Sequence, residues 1–439
     1  MNLRRWLSPG IGIKRWLLVV FAGLLVLALG FAHFLRQVGR DLEPGGLVRS
    51  VIDLLTLQFL PFELRGLLAG TVGVALVTFG SYRTIRALMD PLQKASGDLP
   101  LVELIYQKRF LARGPRIVVI GGGTGLSVLL RGLKEHTSNL TAIVTVADDG
   151  GSSGVLRSGL GIPAVGDIRN CLVALADAEP LMSDVLQYRF PDDAGDAHGL
   201  SGHALGNLLI AAMTAVEGGD FEDGVRAMNR ILAVRGRVLP VSATPLTLHA
   251  RLTDGSTVDG QSLIMRTAGI ERVWLTPDPV AASEEAIEAI REAELIVIGP
   301  GSLYTSLLPS LLIPQVRDAI MASAAPRVFV CNVATQTGET TGFDLASHVE
   351  VLTAHTAPGL LDAVLANNAF TAQTPAEWSA ERVRLRWPPN VEPVPRLVLD
   401  DVVDPENAHH HDPTRLALAI LRTHEREPRL RHRSVGRTA

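Results

Sequence analysis

From residue 117 onward, short β-branched runs alternate with stretches whose apolar residues recur at helical spacing. That alternation predicts βαβ units and a parallel sheet covered on both faces. Ile117 to Ile120, Thr141 to Val146, Leu295 to Ile298 and Arg327 to Cys331 read as core strands. Residues 282–294 (ASEEAIEAIREAE) have a helical apolar period and run directly into the strand LIVI, the helix-to-strand step of a doubly wound sheet. Residues 247–260 alternate apolar and polar positions around Asp254-Gly255, which predicts an antiparallel hairpin decorating the sheet. The expected class is therefore α/β, with a doubly wound and mainly parallel sheet. No internal repeat is visible, and the chain from about residue 425 to 439 is an Arg-rich, apolar-poor stretch that reads as a disordered, solvated tail.

The first 112 residues follow a different pattern. Residues 16–35 (WLLVVFAGLLVLALGFAHFL) carry no formal charge over a length that matches the ~20 residues needed to cross a ~30 Å hydrocarbon core. The run exceeds the apolar region of an ordinary signal peptide, so a transmembrane helix is the expectation. A second run at 66–82 (GLLAGTVGVALVTFGSY) is interrupted only by small residues, which suit close helix packing. Four Lys/Arg precede the first run, four lie between the runs and seven follow the second. This bias predicts a two-helix transmembrane hairpin with both ends in the cytoplasm, and a patch at 51–62 lying at the outer interface. Residues 1–112 thus read as membrane anchor and linker, and 113–424 as the functional domain.

Composition sharpens the division. Of 439 residues 47% are hydrophobic and 5% aromatic, a folded aliphatic core. Residues 1–116 hold 15 Lys+Arg against 7 Asp+Glu, whereas the remainder holds 26 against 38. An acidic body argues against a nucleic-acid partner, whose phosphates need a basic face. Two cysteines, Cys171 and Cys331, without metal-binding spacing exclude a disulfide scaffold or a zinc finger and suit a reducing compartment.

Five loops carry candidate chemistry. The strand RIVVI leads into Gly121-Gly122-Gly123-Thr124-Gly125 and then an apolar helix. Glycines allow close backbone approach, and a helix N-terminus offers free N–H groups to an anion, so a phosphate is the natural guest. The dinucleotide fingerprint fails because its third glycine position is Leu126, so NAD is not expected, and no Gly-Lys-Ser/Thr completes a Walker loop. The next strand ends in Asp148-Asp149 followed by a Gly/Ser nest with Ser152 and Ser153, better matched to a hydrated divalent cation and a phosphate than to a ribose. Asp167 opens a helix that it caps or else completes a metal site; Arg169 beside Asn170 meets a phosphate or pairs with an acid. His203 and Asn207 fall four apart on one helix face. Finally Gly299, Gly301, Ser302, Tyr304 and Thr305 follow the strand LIVI, with Gly and Ser suiting a second phosphate or a sugar and Tyr304 stacking on a base or bonding a hydroxyl. His409-His410-His411, just before an apolar helix, reads as a polar lead-in to that helix in preference to a metal site.

IGGGTGLS, VTVADDGGSSGVLR, GDIRNCLVALA, HALGN and IGPGSLYTS, in this order, resemble the gluconeogenesis factor family, a branch of the superfamily that includes 2-phospho-L-lactate transferase. The resemblance spans about residues 116–422. It implies a Rossmann-like fold that binds a uridine diphosphate sugar, notably UDP-N-acetylglucosamine, and supports cell shape and envelope synthesis on gluconeogenic carbon sources. It also places the Gly121–Gly125 loop and Tyr304 at nucleotide-sugar positions and likens Asp148, Asp149 and Asp167 to metal-holding acids of the transferase branch, with Mg²⁺ as the cofactor. The expectation is a membrane-tethered regulatory binding protein, with homo-oligomerisation left open. The competing reading is a Mg²⁺-dependent transferase of a phosphorylated group. Only His203 offers itself as a general base, and no catalytic residue is assigned.

Overall fold

The segment IVVIG at Ile117–Gly121 (β1) is buried along its whole length. A strand apolar on both faces belongs inside a sheet covered from both sides. Beside it lie β2 (Leu140–Val144) and β3 (Arg237–Pro240), and on its other flank β7 (Leu295–Ile298), β8 (Arg327–Val330), β9 (Ala363–Asn367) and β10 (Arg396–Asp400). The order is β10-β9-β8-β7-β1-β2-β3 and every pairing is parallel. The chain winds outward from β1 through β2 to β3, then returns to the far side of β1 and winds the other way. The reversal falls between β1 and β7, where open α/β sheets form their crevice at the strand carboxyl ends. This is a Rossmann-like architecture. A separate three-stranded antiparallel sheet, β5-β4-β6, is built from β4 (Thr247–Leu252), β5 (Thr257–Asp259) and β6 (Ile270–Thr276). Its β4–β5 turn is the expected hairpin, with Gly255 at φ +85° and Asp254 accepting from the Ser256 amide at 2.9 Å.

The computed structural model describes residues 110–176, 180–191, 199–369 and 381–426, with a few isolated positions before residue 110. Two compact units divide the chain, Met1–Lys108 and Arg109–Ala439. The two apolar runs at 16–35 and 66–82, and the patch at 51–62, lie almost wholly outside the described residues, as do residues 427–439. Among the described residues no helix is long and apolar enough to cross a membrane.

Helices occupy the crossovers. Leu126, Leu129, Leu130 and Leu133 lie on one face of α1 (Gly123–Leu133) and are fully buried, the i, i+3, i+4, i+7 stripe of a packed helix. The following helices are α2 (Gly151–Leu160), α3 (Gly166–Leu175), α4 (Pro180–Gln187), α5 (Leu205–Val216), α6 (Phe221–Ile231), the short α7 (Gln261–Ile264), α8 (Glu284–Glu292), α9 (Leu308–Leu311), α10 (Pro314–Ala322), α11 (Leu345–His355) and α12 (Pro413–Arg426). Ser283 caps α8 by accepting from the Ala286 amide, and Glu284 and Glu285 add negative charge to its first turn. α12 runs to Arg426 and buries Thr423.

One contact fixes where α12 sits. α1 and α12 pack together, and a Cβ on Gly132 would stand 1.9 Å from the Pro413 carbonyl oxygen. This close approach carries residues 409–411, immediately before α12, to the carboxyl edge of the sheet. Gly132→Ala would gain up to about 1 kcal/mol of helix propensity. The clash is with backbone, which cannot rotate away, and overpacking of this kind costs roughly 1–3 kcal/mol or more. The expected outcome is a lower midpoint in urea or thermal unfolding, a loss that a gain in helicity alone would reverse.

Candidate functional site

Two strand-end loops meet at the β1/β7 reversal. Gly122 is the N-cap of α1 in extended conformation, and Gly123 adopts φ +69°, which a Cβ disfavours. A Cβ on Gly125 would lie 2.8 Å from the Pro300 carbonyl oxygen, and one on Gly301 3.2 Å from that of Gly122. The loops thus touch backbone to backbone. Around them opens a cleft of about 560 Å³ onto which Gly122, Gly123, Thr124, Gly125, Asp148, Asp167, Gly301, Ser302 and Ser306 face. Gly121, the last residue of β1, is buried and lies behind the cleft. Gly299 at φ +78° makes the turn out of β7 without lining it. The Asn332 side chain clasps Gly301 from both sides, accepting from its amide at 3.2 Å and donating to its carbonyl at 2.9 Å. Gln336 donates to the Ser302 hydroxyl at 2.6 Å.

The three acids separate. Asp167 stands so close beneath the loop that a Cβ on Gly122 would be 2.4 Å from its Oδ2. Burial first, and then repulsion from Asp148, raise its pKa to about 6 against the pull of the Gly123 amide. Asp148 is likewise raised, chiefly by burial, although the Gly150 amide donates to its Oδ1 at 2.9 Å. Asp149, by contrast, turns away and accepts from the Ser262 amide at 2.8 Å, holding the start of α7. The expected three-acid metal set is therefore a pair, Asp148 and Asp167, and among the described residues no group of three His, Cys, Asp or Glu is arranged to hold a metal ion. Two carboxylates raised chiefly by burial on one wall fit a divalent cation, since Mg²⁺ is ordinarily held by one or two carboxylates plus substrate phosphates.

Ser152, Ser153, Asn170 and Asn207 line a second cavity of about 270 Å³ that shares only Asp148 and Asp167 with the cleft. His203 lines neither; its Nδ1 meets the Ser152 hydroxyl at 3.0 Å, and Asn207 Nδ2 donates to that same oxygen at 3.0 Å. His203 precedes α5, which starts at Leu205, so the pair does not share a helix face; the two side chains converge on a buried serine instead.

Tyr304 and Thr305 are corrections. Both lie in a π-helical turn, Leu303–Leu307, and are buried; Tyr304 is 1% exposed and its hydroxyl donates to the Ile270 carbonyl at 3.2 Å. Its ring meets Phe343 and His355 edge-on, so it is core and not a platform for a base. The turn instead directs Ser302 and Ser306 to the cleft. What holds it is a residue that no local pattern marked. Glu339, 2% exposed, accepts from the Tyr304 amide at 2.5 Å, the Thr305 amide at 2.8 Å and the Thr305 hydroxyl at 3.2 Å. Burial nevertheless lifts its pKa to about 7. His409, His410 and His411 also line the cleft. They are the helix lead-in expected, with Asp412 capping α12 through the Arg415 amide at 2.8 Å. His411 Nε2 pairs with the Cys331 carbonyl at 3.3 Å, and burial drives its pKa down to about 4, so it stays neutral.

The family model for 2-phospho-L-lactate transferase CofD matches residues 117–390, which contain both glycine loops and the acids. The gluconeogenesis factor of Bacillus subtilis is 50% identical over 259 residues, covering 59% of this chain and 80% of its own. The chain belongs to the gluconeogenesis factor family, within the CofD superfamily. A relative from Deinococcus radiodurans is 37% identical over 445 residues, 97% of this chain and 90% of its own, so that alignment includes the N-terminal unit. The crystal structure of a UPF0052 family member from Bacillus halodurans superposes with a TM-score of 0.64 at 44% identity, covering 70% of this chain and 99% of that one.

Glu339 makes this family member's stability pH-dependent. Because the folded protein holds the Glu339 proton more tightly than the unfolded chain does, stability falls as pH rises from about 4.5 to about 7, then levels. The full swing is on the order of 3 kcal/mol. Asp167 adds a similar fall below about pH 6. In Glu339→Gln, whose amide oxygen still accepts from both backbone amides, the melting temperature should decline less than wild type between pH 6 and 7.5. Parallel curves would show that Glu339 does not titrate there.

Proposed function

We propose that the chain is a membrane-tethered binding protein for a uridine diphosphate sugar, UDP-N-acetylglucosamine, with a regulatory role in envelope synthesis and cell shape during growth on gluconeogenic carbon. One observation carries the binding: two glycine loops, back to back at the sheet's reversal point, open on a cleft of about 560 Å³, a size suited to a nucleotide sugar. The diphosphate would lie over the Gly122–Gly125 amides at the N-terminus of α1, where free N–H groups and the helix dipole favour negative charge. Mg²⁺ would be held by Asp148 and Asp167 and would neutralise phosphate charge. Ser302, Ser306 and Gln336 supply hydrogen bonds, and His409–His411 wall the far end. The tether rests on the two apolar runs and on the eleven-to-four Lys/Arg bias across them. The main domain would then face the cytoplasm.

A transferase of a phosphorylated group is the second reading. It is favoured by the transferase family model and by two cavities that meet at the same two acids.

Thermal shift with UDP-N-acetylglucosamine, GTP and NAD tests the binding. A ligand at 100 times its Kd adds about 2.7 kcal/mol, so the nucleotide sugar should raise the melting temperature and NAD should not. Asp148→Asn should weaken this ligand and remove its Mg²⁺ dependence. Asp149→Asn, whose amide oxygen still accepts from the Ser262 amide, should keep that dependence. Equal effects of the two variants would show that the acid pair does not hold the cation. For the tether, reporters at residue 45 and at the C-terminus should fall on opposite sides of the membrane; a chain extracted by carbonate rules it out. Mass spectrometry after hours with Mg²⁺ and UDP-N-acetylglucosamine should return intact ligand, and release of UDP or UMP would favour the transferase.

A further inference from the structure

Behind the Asp148 and Asp167 wall lies the second cavity, about 270 Å³, with a lining distinct from that of the nucleotide cleft. Four features of it are unaccounted for. The first turn of α2, a ten-residue helix, opens on it, and Gly150 at the N-cap supplies no side-chain cap. A Cβ on Gly151 would meet nothing within 4 Å. Arg169 and Arg189 both face it; Arg169 sends Nη2 to the Asn170 oxygen at 2.9 Å but keeps a buried Nε with no partner. Asn207, only 2% exposed, has a buried Oδ1 with no partner either.

Hydrogen-bond bookkeeping excludes a covalent role for this cavity's serine. The Ser152 oxygen accepts from Asn207 Nδ2 and from the Ala204 amide at 3.3 Å, so its own proton goes to His203 Nδ1, which is thereby assigned as the acceptor nitrogen. Both lone pairs are filled. Ser153 is also spent, accepting from the Gly166 amide at 2.8 Å. What remains open is a set of donors, the guanidinium N–H groups not already given to Asn170 and to the Gly202 carbonyl and the helix amides, together with the Asn207 Oδ1 acceptor, beside the Asp148 and Asp167 carboxylates on the shared wall. Donors in a fork at a helix N-terminus match a phosphate. Asn207 Oδ1, an acceptor with no partner, matches a hydroxyl on the same guest. The two guanidinium groups also repel one another. An anion between them relieves it.

We propose that this cavity is a second oxyanion site that takes a hydroxyl-bearing phosphate group, either hydrogen phosphate or a hydroxylated phosphomonoester, while the cleft holds the nucleotide sugar. The proposal rests on the nucleotide-sugar reading only for its being second and simultaneous. The phosphate oxygens accept from Arg169, Arg189 and the α2 amides, and the hydroxyl donates to Asn207 Oδ1. Any phosphorylated small molecule held here lies across the two shared acids from the sugar diphosphate, so its occupancy and that of the cleft would be coupled through Asp148 and Asp167.

Calorimetric titration of the full chain, with Mg²⁺ and with or without saturating UDP-N-acetylglucosamine, tests it. Inorganic phosphate, glycerol 3-phosphate and sulfate are the probes. Phosphate or glycerol 3-phosphate should bind with the nucleotide sugar present, and the arm that binds more tightly identifies the source. Sulfate, with no hydroxyl, should bind about tenfold more weakly, a difference of about 1.4 kcal/mol. Arg169→Gln should lower phosphate affinity about tenfold and leave UDP-N-acetylglucosamine affinity within about twofold. Should that variant not fold, Arg189→Gln, at an exposed position, should lower phosphate affinity about threefold. Displacement of phosphate by UDP-N-acetylglucosamine, phosphate affinity unchanged in both arginine variants, or no binding of either phosphate probe at about 10 mM, would each overturn the proposal. Phosphate binding in a protein that fails to bind UDP-N-acetylglucosamine at all would overturn the nucleotide-sugar reading and leave the oxyanion site standing.

Discussion

The site depends on a packing constraint between two backbones. At the β1/β7 reversal the loop after each strand must pass the other with no side chain between them, which is why Gly122, Gly125 and Gly301 lie where a Cβ would strike Asp167, Pro300 and Gly122 in turn. The glycine cost in conformational entropy is accepted because the alternative pushes the loops apart and withdraws the α1 amides from any phosphate. This constraint also fixes Asp167, whose carboxyl is pressed beneath the loop, close to the Gly122 Cα hydrogens and the Gly123 amide.

Around that contact, burial sets the electrostatics. Asp148, Asp167 and Glu339 all have raised pKa values, with desolvation the largest cause each time, yet their surroundings give them different roles. Asp148 and Asp167 repel one another at the boundary of two cavities, so a cation or a proton stabilises them. Glu339 faces backbone amides and a hydroxyl, a neutral shell that satisfies its oxygens and makes it a brace. Its brace matters for the cleft because the π-helical turn that it holds points Ser302 and Ser306 outward and Tyr304 inward.

The sequence was informative where residue type alone dictates geometry. Strands buried on both faces, such as IVVIG and LIVI, have no competing reading once helices flank them, and glycine-rich strand ends announce close approach. β3, β6, β9 and β10 were less visible. β10 is an edge strand with exposed positions, β3 runs from Arg237 to Pro240, and β6 buries only alternate side chains, so none of these three presents an uninterrupted apolar run, whereas β9 does over Ala363–Ala366. Tyr304 was misread because an aromatic residue after a glycine loop looks like a stacking platform; its orientation is decided by the π-helical register and by Glu339, 35 residues away. Asp149 was misread for a similar reason: adjacent acids look like one site, but Asp148 accepts from the Gly150 amide and Asp149 from the Ser262 amide. The histidines at 409–411 reach the cleft through the Gly132–Pro413 contact, a tertiary fact that no local pattern contains.

The choice between a binding protein and a transferase turns on whether a proton acceptor faces the reacting atoms. His203, the general base that the sequence offered, has its Nδ1 committed to Ser152 and lines neither cavity. His411 is held by the Cys331 carbonyl. Phosphoryl transfer needs little covalent help from the protein, because positioning and charge neutralisation supply most of the rate. A two-cavity site with a shared acid pair already meets those two needs. Among the described residues, His409 and His410 line the cleft and no imidazole lines the second cavity. Asp167, with a pKa of about 6 and a position on both walls, is the group there whose charge state changes near neutral pH. Were a cation bound between the acids, that carboxyl would be held ionised and unavailable as a base.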